Sequence, residues 1–203
     1  MRGAIVLAGG PSRRMGRPKA LVLLAGKPLV ARVVEAARRV AEDIVVVTKR
    51  PMVAEIRAAV PRRTRVLADE RDVQSPLAGL VTGARALDAE YVAFLACDLP
   101  LIVPEVLAAL FMRVEGANAA IPRWPDGKIE PMAAVYHRER AREAAVVALD
   151  AGRLANADMI AGLERVRFVP VDELRAADPG LDSFVNVNAP ADLEDAERRM
   201  AGE

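Results

Sequence analysis

The sequence has few of the residues that several common kinds of functional site require. Its 203 residues include one cysteine, Cys97, and one histidine, His137. A single cysteine excludes an intramolecular disulfide and a zinc cluster built from cysteines. A single histidine argues against a histidine-rich metal site and against a serine–histidine catalytic arrangement. The chemistry of this protein therefore rests on other side chains and on the backbone.

An excess of charge of one sign and long apolar runs are also absent from the sequence. Lys and Arg number 29 against 28 Asp and Glu, which gives a formal net charge of +1. A nearly neutral protein has no global field that attracts nucleic acid or an anionic membrane. No run reaches the roughly 18 apolar residues of a membrane span, and the start of the chain is unlike a signal peptide. These features predict a cytoplasmic protein without a nucleic-acid or membrane partner.

Aromatic residues make up only 3% of a sequence that is 53% hydrophobic, so the core is aliphatic. Short apolar runs alternate with helical patterns, and the predicted strands are 4–7, 44–48, 65–67, 91–96, 119–121, 132–136 and 166–171. The predicted helices are 29–40, 53–60, 76–87, 104–114, 138–150, 156–163 and 191–200. Strands that are apolar on both faces indicate a parallel sheet covered by helices. We expect one three-layer α/β/α domain over residues 1–203, with a Rossmann-like, mostly parallel sheet.

The stretch LAGGPSRRMGRPK at residues 7–19 carries the strongest functional signal. Gly9 and Gly10 let the backbone come close to a ligand and turn its N–H groups toward it. Cationic side chains follow at Arg13, Arg14 and Lys19. Neither the dinucleotide-binding glycine pattern nor the Walker A pattern fits. The stretch favours a loop that binds a triphosphate, and the alternative is a solvated turn, since Gly-Pro-Ser is common turn chemistry.

Asp98 stands where the fourth apolar strand ends, two residues before Pro100. One carboxylate beside a triphosphate suits Mg²⁺, which fills its coordination with phosphate oxygens and water. Asp98 could equally cap the following turn. Its neighbour Cys97 fits a small buried residue better than a nucleophile, because no histidine is near in sequence to activate it. Ligands of such sheets bind beyond the carboxyl ends of the strands, so we expect residues 7–19, Asp69 and Asp98 to converge.

Asn186 and Asn188 lie on the same side of an extended segment because side chains alternate along it. Their amides can donate to phosphate or coordinate a metal through oxygen. Asn188 could instead cap the last helix, whereas Asn186 is less easily explained in that way. A turn at residues 125–127 predicts a hairpin loop, from which Arg123 and Lys128 could approach an anionic second substrate.

Taken in order, these segments resemble nucleotidyltransferases of the molybdenum cofactor guanylyltransferase type. The residues that carry the resemblance are LAGG at 7–10, Ser12, RMG at 14–16, Lys19, GKPL at 26–29, Asp69, SPLAGL at 75–80, CDLP at 97–100, EPMAAVY at 130–136 and FVNVNAP at 184–190. The matches span nearly the whole chain, and the last motif is the more specific. The sequence departs from the pattern of this family at two places. Ser75 stands where the family usually has glycine, and the stretch TKRP at 48–51 stands where the family often has an asparagine.

The resemblance implies that GTP and Mg²⁺ bind, that GMP passes to molybdopterin-bound molybdenum cofactor, and that pyrophosphate leaves. Arg14 and Lys19 would neutralise charge developing on the phosphates, and Asp98 would hold Mg²⁺. The resemblance implies nucleotide binding by Leu7, Ala8, Gly9, Gly10, Ser12, Arg14, Lys19, Asp69, Pro76, Leu77, Ala78 and Gly79, and acceptor binding by Asn186 and Asn188.

Several alternatives to this function stay open. CTP could replace GTP, or the acceptor could be another phosphorylated molecule such as a sugar phosphate. A nucleotide-binding module without turnover belongs to a different class, and intact Lys19 and Asp98 argue against it. The expected partners are small molecules, with room for transient contact with proteins that deliver or accept the cofactor.

Overall fold

The computed structural model describes residues 1–9, 18–71 and 73–202. The strands in these residues are β1 (Arg2–Leu7), β2 (Leu23–Leu24), β3 (Lys27–Pro28), β4 (Asp43–Thr48), β5 (Arg65–Ala68), β6 (Tyr91–Ala96), β7 (Ala119–Arg123), β8 (Ala133–His137) and β9 (Val166–Pro170). The α-helices are α1 (Leu29–Ala37), α2 (Val53–Ala59), α3 (Pro76–Arg85), α4 (Pro104–Arg113), α5 (Arg138–Asp150), α6 (Asn156–Ile160) and α7 (Pro190–Ala201). None of these helices is long and apolar enough to cross a membrane.

Seven of these strands form one sheet in the order β5-β4-β1-β6-β8-β7-β9. Neighbouring strands run parallel except at β8, which is antiparallel to both β6 and β7. The reversal follows from the predicted turn after β7, where Trp124 N donates to Lys128 O at 2.8 Å and Gly127 has a φ of 90°. Such a φ suits glycine because no Cβ clashes there. The prediction of a mostly parallel α/β sheet is confirmed, with β8 as the exception.

Successive residues of the central strands face two separate helical layers, as the pleat of a strand requires. Ala4 and Val6 of β1 belong to a buried cluster that includes side chains of α1, α2 and α4. Ile5, between them, belongs to a second cluster with side chains of α3, α5 and α6. The sheet therefore lies between two layers of helices, which confirms the three-layer architecture.

Helix α3 lies close to β1 because two of its residues are glycines. A Cβ at Gly79 would stand 2.6 Å from Leu7 Cδ2, and a Cβ at Gly83 would stand 2.6 Å from Ile5 Cγ2. Side chains at these positions would push the helix away from the sheet. At its start, α3 is capped by Ser75, whose Oγ accepts a hydrogen bond from Leu77 N at 3.1 Å. Close packing thus brings a capped helix start next to the end of β1.

A smaller apolar cluster attaches the C-terminal helix to an early part of the chain. Its members are almost completely buried: Val22, Leu24, Leu29, Val187 and Ala196. Helix α7 is capped by Asp192, whose Oδ2 accepts hydrogen bonds from Asn188 N at 2.7 Å and Ala189 N at 2.8 Å. The alternative that the Asn188 side chain caps this helix is wrong, because the N-cap residue is Ala189 and Asn188 Oδ1 accepts a hydrogen bond from Lys19 instead.

Candidate active site

A cavity of about 510 Å³ lies at the carboxyl ends of the central strands. It is bounded by the ends of β1, β4 and β6, the start of α3, and residues that precede β8 and α7. Among the residues predicted to form a site, those that line this cavity are Leu7, Ala8, Gly9, Lys19, Asp69, Pro76, Gly79, Asp98 and Asn186. The structure therefore brings together side chains from four distant parts of the sequence.

Backbone hydrogen bonds hold the segments that follow the strands side by side. Cys97 N donates to Leu7 O at 3.0 Å, and Ala8 N donates to Val47 O at 2.9 Å. Asp69 N donates to Thr48 O at 2.8 Å, so the β5 end is fixed to the β4 end in the same way. The parallel pairing thus continues past the strands, and the position of each loop follows from the register of the sheet.

Lys19 links two of the predicted site residues. Its Nζ lies 2.8 Å from Asp98 Oδ2 and 2.5 Å from Asn188 Oδ1. The Lys19 and Asp98 side chains are only 15% and 20% exposed, so solvent screens this ion pair weakly. Val187 N also donates to Asp98 O at 2.9 Å, which fixes the asparagine segment beside the aspartate. A cation, a carboxylate and an amide oxygen therefore meet at one end of the cavity.

The two carboxylate oxygens of Asp98 differ in their hydrogen bonding. Asp98 Oδ1 is buried and has no hydrogen-bond partner within the part of the chain that the structure describes. An unpaired buried carboxylate oxygen is costly, because it loses its hydration and gains nothing in return. Since Oδ2 binds Lys19 and Oδ1 binds nothing there, the alternative that Asp98 caps the following turn is wrong. Asp98 has one oxygen available for a cationic ligand.

Cys97 is buried beside this aspartate. Burial, and to a smaller extent the neighbouring Asp98 charge, raises the pKa of the Cys97 thiol to about 12. A thiol with that pKa is protonated at neutral pH and is a poor nucleophile. This agrees with the interpretation of Cys97 as a small buried residue.

A second lysine–aspartate pair lies in the same cavity. Lys49 Nζ is 3.2 Å from Asp69 Oδ2 and donates to Val73 O at 3.1 Å. The other oxygen, Asp69 Oδ1, accepts hydrogen bonds from Thr82 Oγ1 at 3.4 Å and from Arg71 N at 3.3 Å. Both oxygens of Asp69 are therefore bound within the protein, in contrast to those of Asp98.

Some predicted site residues lie elsewhere. Leu77 and Ala78 are fully buried and do not line the cavity. Asn188 does not line it either and reaches the site through its hydrogen bond to Lys19. Gly10, Ser12 and Arg14 lie outside the described residues, and so does Arg13.

The two cations suggested for a second substrate have partners away from the cavity. The Arg123 guanidinium lies over the Phe168 ring at 5.1 Å from its centroid, and Lys128 Nζ lies 2.9 Å from Glu130 Oε1. Neither residue lines the cavity, although Glu130 does. The structure therefore does not bring Arg123 and Lys128 to the site.

The cavity also contains residues to which the sequence analysis gave no role: Thr48, Lys49, Gln74, Ser75, Glu130, Met132 and Asn156. Thr48 ends β4 and Lys49 follows it, at the same edge of the sheet as Asp69, so the strand order supplied a signal for them. Asn156 begins a short helix outside every motif, and nothing in the local sequence indicates its position.

Comparison with known proteins agrees with this geometry. Residues 4–166 match the family described as the MobA-like NTP transferase domain. A probable molybdenum cofactor guanylyltransferase from Natronomonas pharaonis is 36% identical over 203 residues, which cover 98% of each chain. Another from Methanosarcina acetivorans is 33% identical over 200 residues, which cover 95% of this chain and 88% of the relative.

A solved structure is similar over its whole length. The crystal structure of molybdopterin-guanine dinucleotide biosynthesis protein A from Archaeoglobus fulgidus has a TM-score of 0.84 with this chain. The two sequences are 30% identical, and the similarity covers 100% of both chains. The similarity therefore includes the C-terminal part with Asn186 and Asn188, which lies beyond residue 166.

Proposed function

Because this chain belongs to the MobA-like NTP transferase family, we propose that it transfers GMP from GTP to the molybdenum cofactor and releases pyrophosphate. The family resemblance found in the sequence motifs is confirmed. The named relatives support the choice of substrates, since molybdenum cofactor guanylyltransferases match nearly the full chain.

One observation carries the proposal: Lys19 joins Asp98 and Asn188 at one end of the cavity. A triphosphate needs a cation against its oxygens, and the Lys19 ammonium supplies one. Gly9 lines this cavity at the end of β1, and its lack of a side chain leaves the backbone there open to a ligand. In this proposal the phosphates, the cation and the acceptor all bind at one cavity.

Mg²⁺ is part of the same proposal, with Asp98 as the residue that would hold it. The buried Oδ1, which has no hydrogen-bond partner among the described residues, fits a hard cation, which prefers oxygen ligands. In the described residues no group of three or more His, Cys, Asp or Glu side chains forms a metal cage. One carboxylate is sufficient for Mg²⁺ beside a triphosphate, because phosphate oxygens and water complete its coordination. When bound, Mg²⁺ neutralises phosphate charge.

The reaction is a displacement at phosphorus. An oxygen of the acceptor's phosphate forms a bond to the α-phosphorus of GTP, the bond from that phosphorus to the bridging oxygen breaks, and pyrophosphate leaves. Lys19 and Arg14 stabilise the negative charge that develops on the phosphates, and Asn186 and Asn188 bind the acceptor. Catalysis rests on alignment and charge stabilisation, so no histidine is required.

Titration of the purified protein with GTP, CTP, ATP and UTP in the presence of Mg²⁺ tests the choice of base. We expect GTP to bind most tightly. Tight binding of CTP without binding of GTP would overturn the guanylyl assignment.

The acceptor is tested by pyrophosphate release with a panel of acceptors. We expect release with molybdopterin-bound cofactor. Release only with a sugar phosphate would change the acceptor, and nucleotide binding without any release would identify a binding module. The proposal further places the protein in the cytoplasm, where GTP is available, with transient contact to proteins that supply or receive the cofactor.

A further inference from the structure

Asn156 lines the cavity from a region that none of the sequence motifs covers. It is the first residue of α6, which packs through buried Met159 and Ile160 on the same apolar cluster as α3. The backbone that carries Asn156 is therefore anchored to the core. This packing fixes the position of the Asn156 Cα on the cavity wall.

The Asn156 side chain carries a hydrogen-bond acceptor for which the described residues supply no donor. Its Oδ1 is buried and has no hydrogen-bond partner among residues 1–9, 18–71 and 73–202. The helix start does not need this side chain, because Asp158 Oδ2 accepts the hydrogen bond from Ala155 N at 2.9 Å. Buried polar groups are almost always hydrogen-bonded, so an amide oxygen left unpaired in a cavity wall indicates a donor on the ligand.

Ser75 connects this wall to the start of α3. Its Oγ donates to Leu154 O at 2.7 Å and accepts from Leu77 N at 3.1 Å. One hydroxyl therefore caps the helix and holds the chain two residues before Asn156. A glycine at this position has no side chain to make either bond. Ser75 thus positions Asn156 relative to Pro76 and Gly79, which also line the cavity.

We propose that Asn156 is a substrate-binding residue whose Oδ1 accepts a hydrogen bond from an N–H of a 2-amino-4-oxopyrimidine ring. The inference rests on the proposed function. Phosphate oxygens have no proton to donate at neutral pH and would repel an amide oxygen. The 2-amino-4-oxopyrimidine ring has adjacent ring N–H and amino donors, which need acceptors when buried. Guanine and the pterin of the acceptor both contain this ring.

The test uses four variants of the full chain. Asn156→Leu keeps a similar side-chain volume and removes the acceptor, and Asn156→Ala gives the same information if leucine prevents folding. Asn156→Asp keeps an acceptor oxygen. Asp158→Asn is the matched control, because it lies in the same short helix and keeps a capping oxygen. Thermal unfolding of each variant verifies the fold.

Two binding measurements distinguish the two rings. Calorimetry with GTP and Mg²⁺ reports on guanine, and fluorescence titration with molybdopterin reports on the pterin. We expect Asn156→Leu to weaken one of these affinities about tenfold, as loss of one hydrogen bond to a buried donor does. Asn156→Asp and Asp158→Asn should stay within about threefold of the parent, since each keeps its acceptor.

The outcomes separate this inference from the proposed function. Weaker GTP binding assigns Asn156 to guanine, and weaker molybdopterin binding assigns it to the pterin. Unchanged affinities for both substrates would overturn the inference, and so would equal losses for both with a lowered unfolding temperature. Because the unmodified protein is assayed for GMP transfer in parallel, failure of that transfer identifies failure of the proposed function instead.

Discussion

Two lysine–aspartate pairs lie in one cavity and differ in what their carboxylates have left to bind. In the pair of Lys19 and Asp98, one aspartate oxygen binds the lysine and the other has no partner within the described chain. In the pair of Lys49 and Asp69, Lys49 binds one oxygen, and Thr82 and the Arg71 backbone bind the other.

The difference shows that residue type and position at a strand end do not define a role. Both aspartates follow parallel strands, and the family resemblance implied a site role for both. The first pair keeps binding capacity for a ligand, whereas the second uses its capacity to join loops. We therefore expect the Asp98 end to act in chemistry and the Asp69 end to hold the shape of the nucleotide pocket.

The largest effect should follow a change at the Asp98 end. Asp98→Asn keeps a hydrogen-bond acceptor for Lys19 but removes the negative charge, and Lys19→Ala removes the cation. Either change should lower turnover by about 10²–10³-fold without unfolding the protein, as loss of one preorganised charge does. The rate of pyrophosphate release under saturating GTP and Mg²⁺ measures this turnover.

The control for this prediction is Asp43→Asn, which removes a carboxylate that pairs with Arg65 at 2.6 Å near the surface. Its turnover should match that of the parent. Parent-like turnover in both Asp98→Asn and Lys19→Ala would refute the roles of these residues.

At the Asp69 end, the main effect should be on stability. Asp69→Asn leaves Lys49 without its counterion, and Lys49 is 37% exposed, so water compensates in part. The free energy of unfolding should fall by on the order of 1–2 kcal/mol, while turnover changes less than about tenfold. Urea denaturation and steady-state rates measure the two quantities. A loss of turnover like that of Asp98→Asn, with stability unchanged, would remove the distinction between the two ends.

A smaller effect is expected from Ser75→Ala. This change removes the cap of α3 and the hydrogen bond to Leu154 O, while the apolar packing of the helix remains. We expect a decrease of about 1 kcal/mol in the free energy of unfolding, typical of a lost N-cap. Urea denaturation is again the measurement. An unchanged midpoint would show that the pocket wall near Asp69 does not depend on this serine.

The smallest effect concerns Cys97 at the Asp98 end. Its ordinary pKa of 9.0 is raised to about 12 by burial, so the native thiol should resist iodoacetamide at pH 8, and only unfolded protein should react. The stabilisation linked to this thiol is complete below pH 9 and is lost as the pH rises toward 12, because the unfolded thiol ionises first. Mass spectrometry of the alkylated protein measures the reaction. Rapid labelling of native protein would contradict the burial of this end.

Much of the fold could be predicted because its signals are local. The predicted bounds of β6 and α5 coincide with those observed, since apolar runs and helical periodicity mark them within the segment itself. The β2–β3 hairpin and the position of β8 between β6 and β7 were not predicted, because they depend on pairing between segments rather than on composition. The organisation of residues 1–203 as a single domain stays a prediction.

The sequence predicted which segments meet at the site, but not how their side chains bind one another. The rule that ligands bind beyond the carboxyl ends of strands grouped Gly9, Asp69 and Asp98, and the structure places all three at the cavity. Which oxygen of each aspartate is satisfied depends on side chains distant in sequence, so no local pattern encodes it. The cap of α7 did have a local signal, since Asp192 stands in its first turn.

The hydrogen bond from Lys19 to Asn188 spans 169 positions of the chain. During translation, the lysine leaves the ribosome long before the asparagine has been added. The contact can therefore form only after the chain has been made as far as residue 188. A message cut short ahead of codon 188 would yield a polypeptide without this contact and without α7. Assembly of this end of the cavity thus waits for the segment that precedes α7.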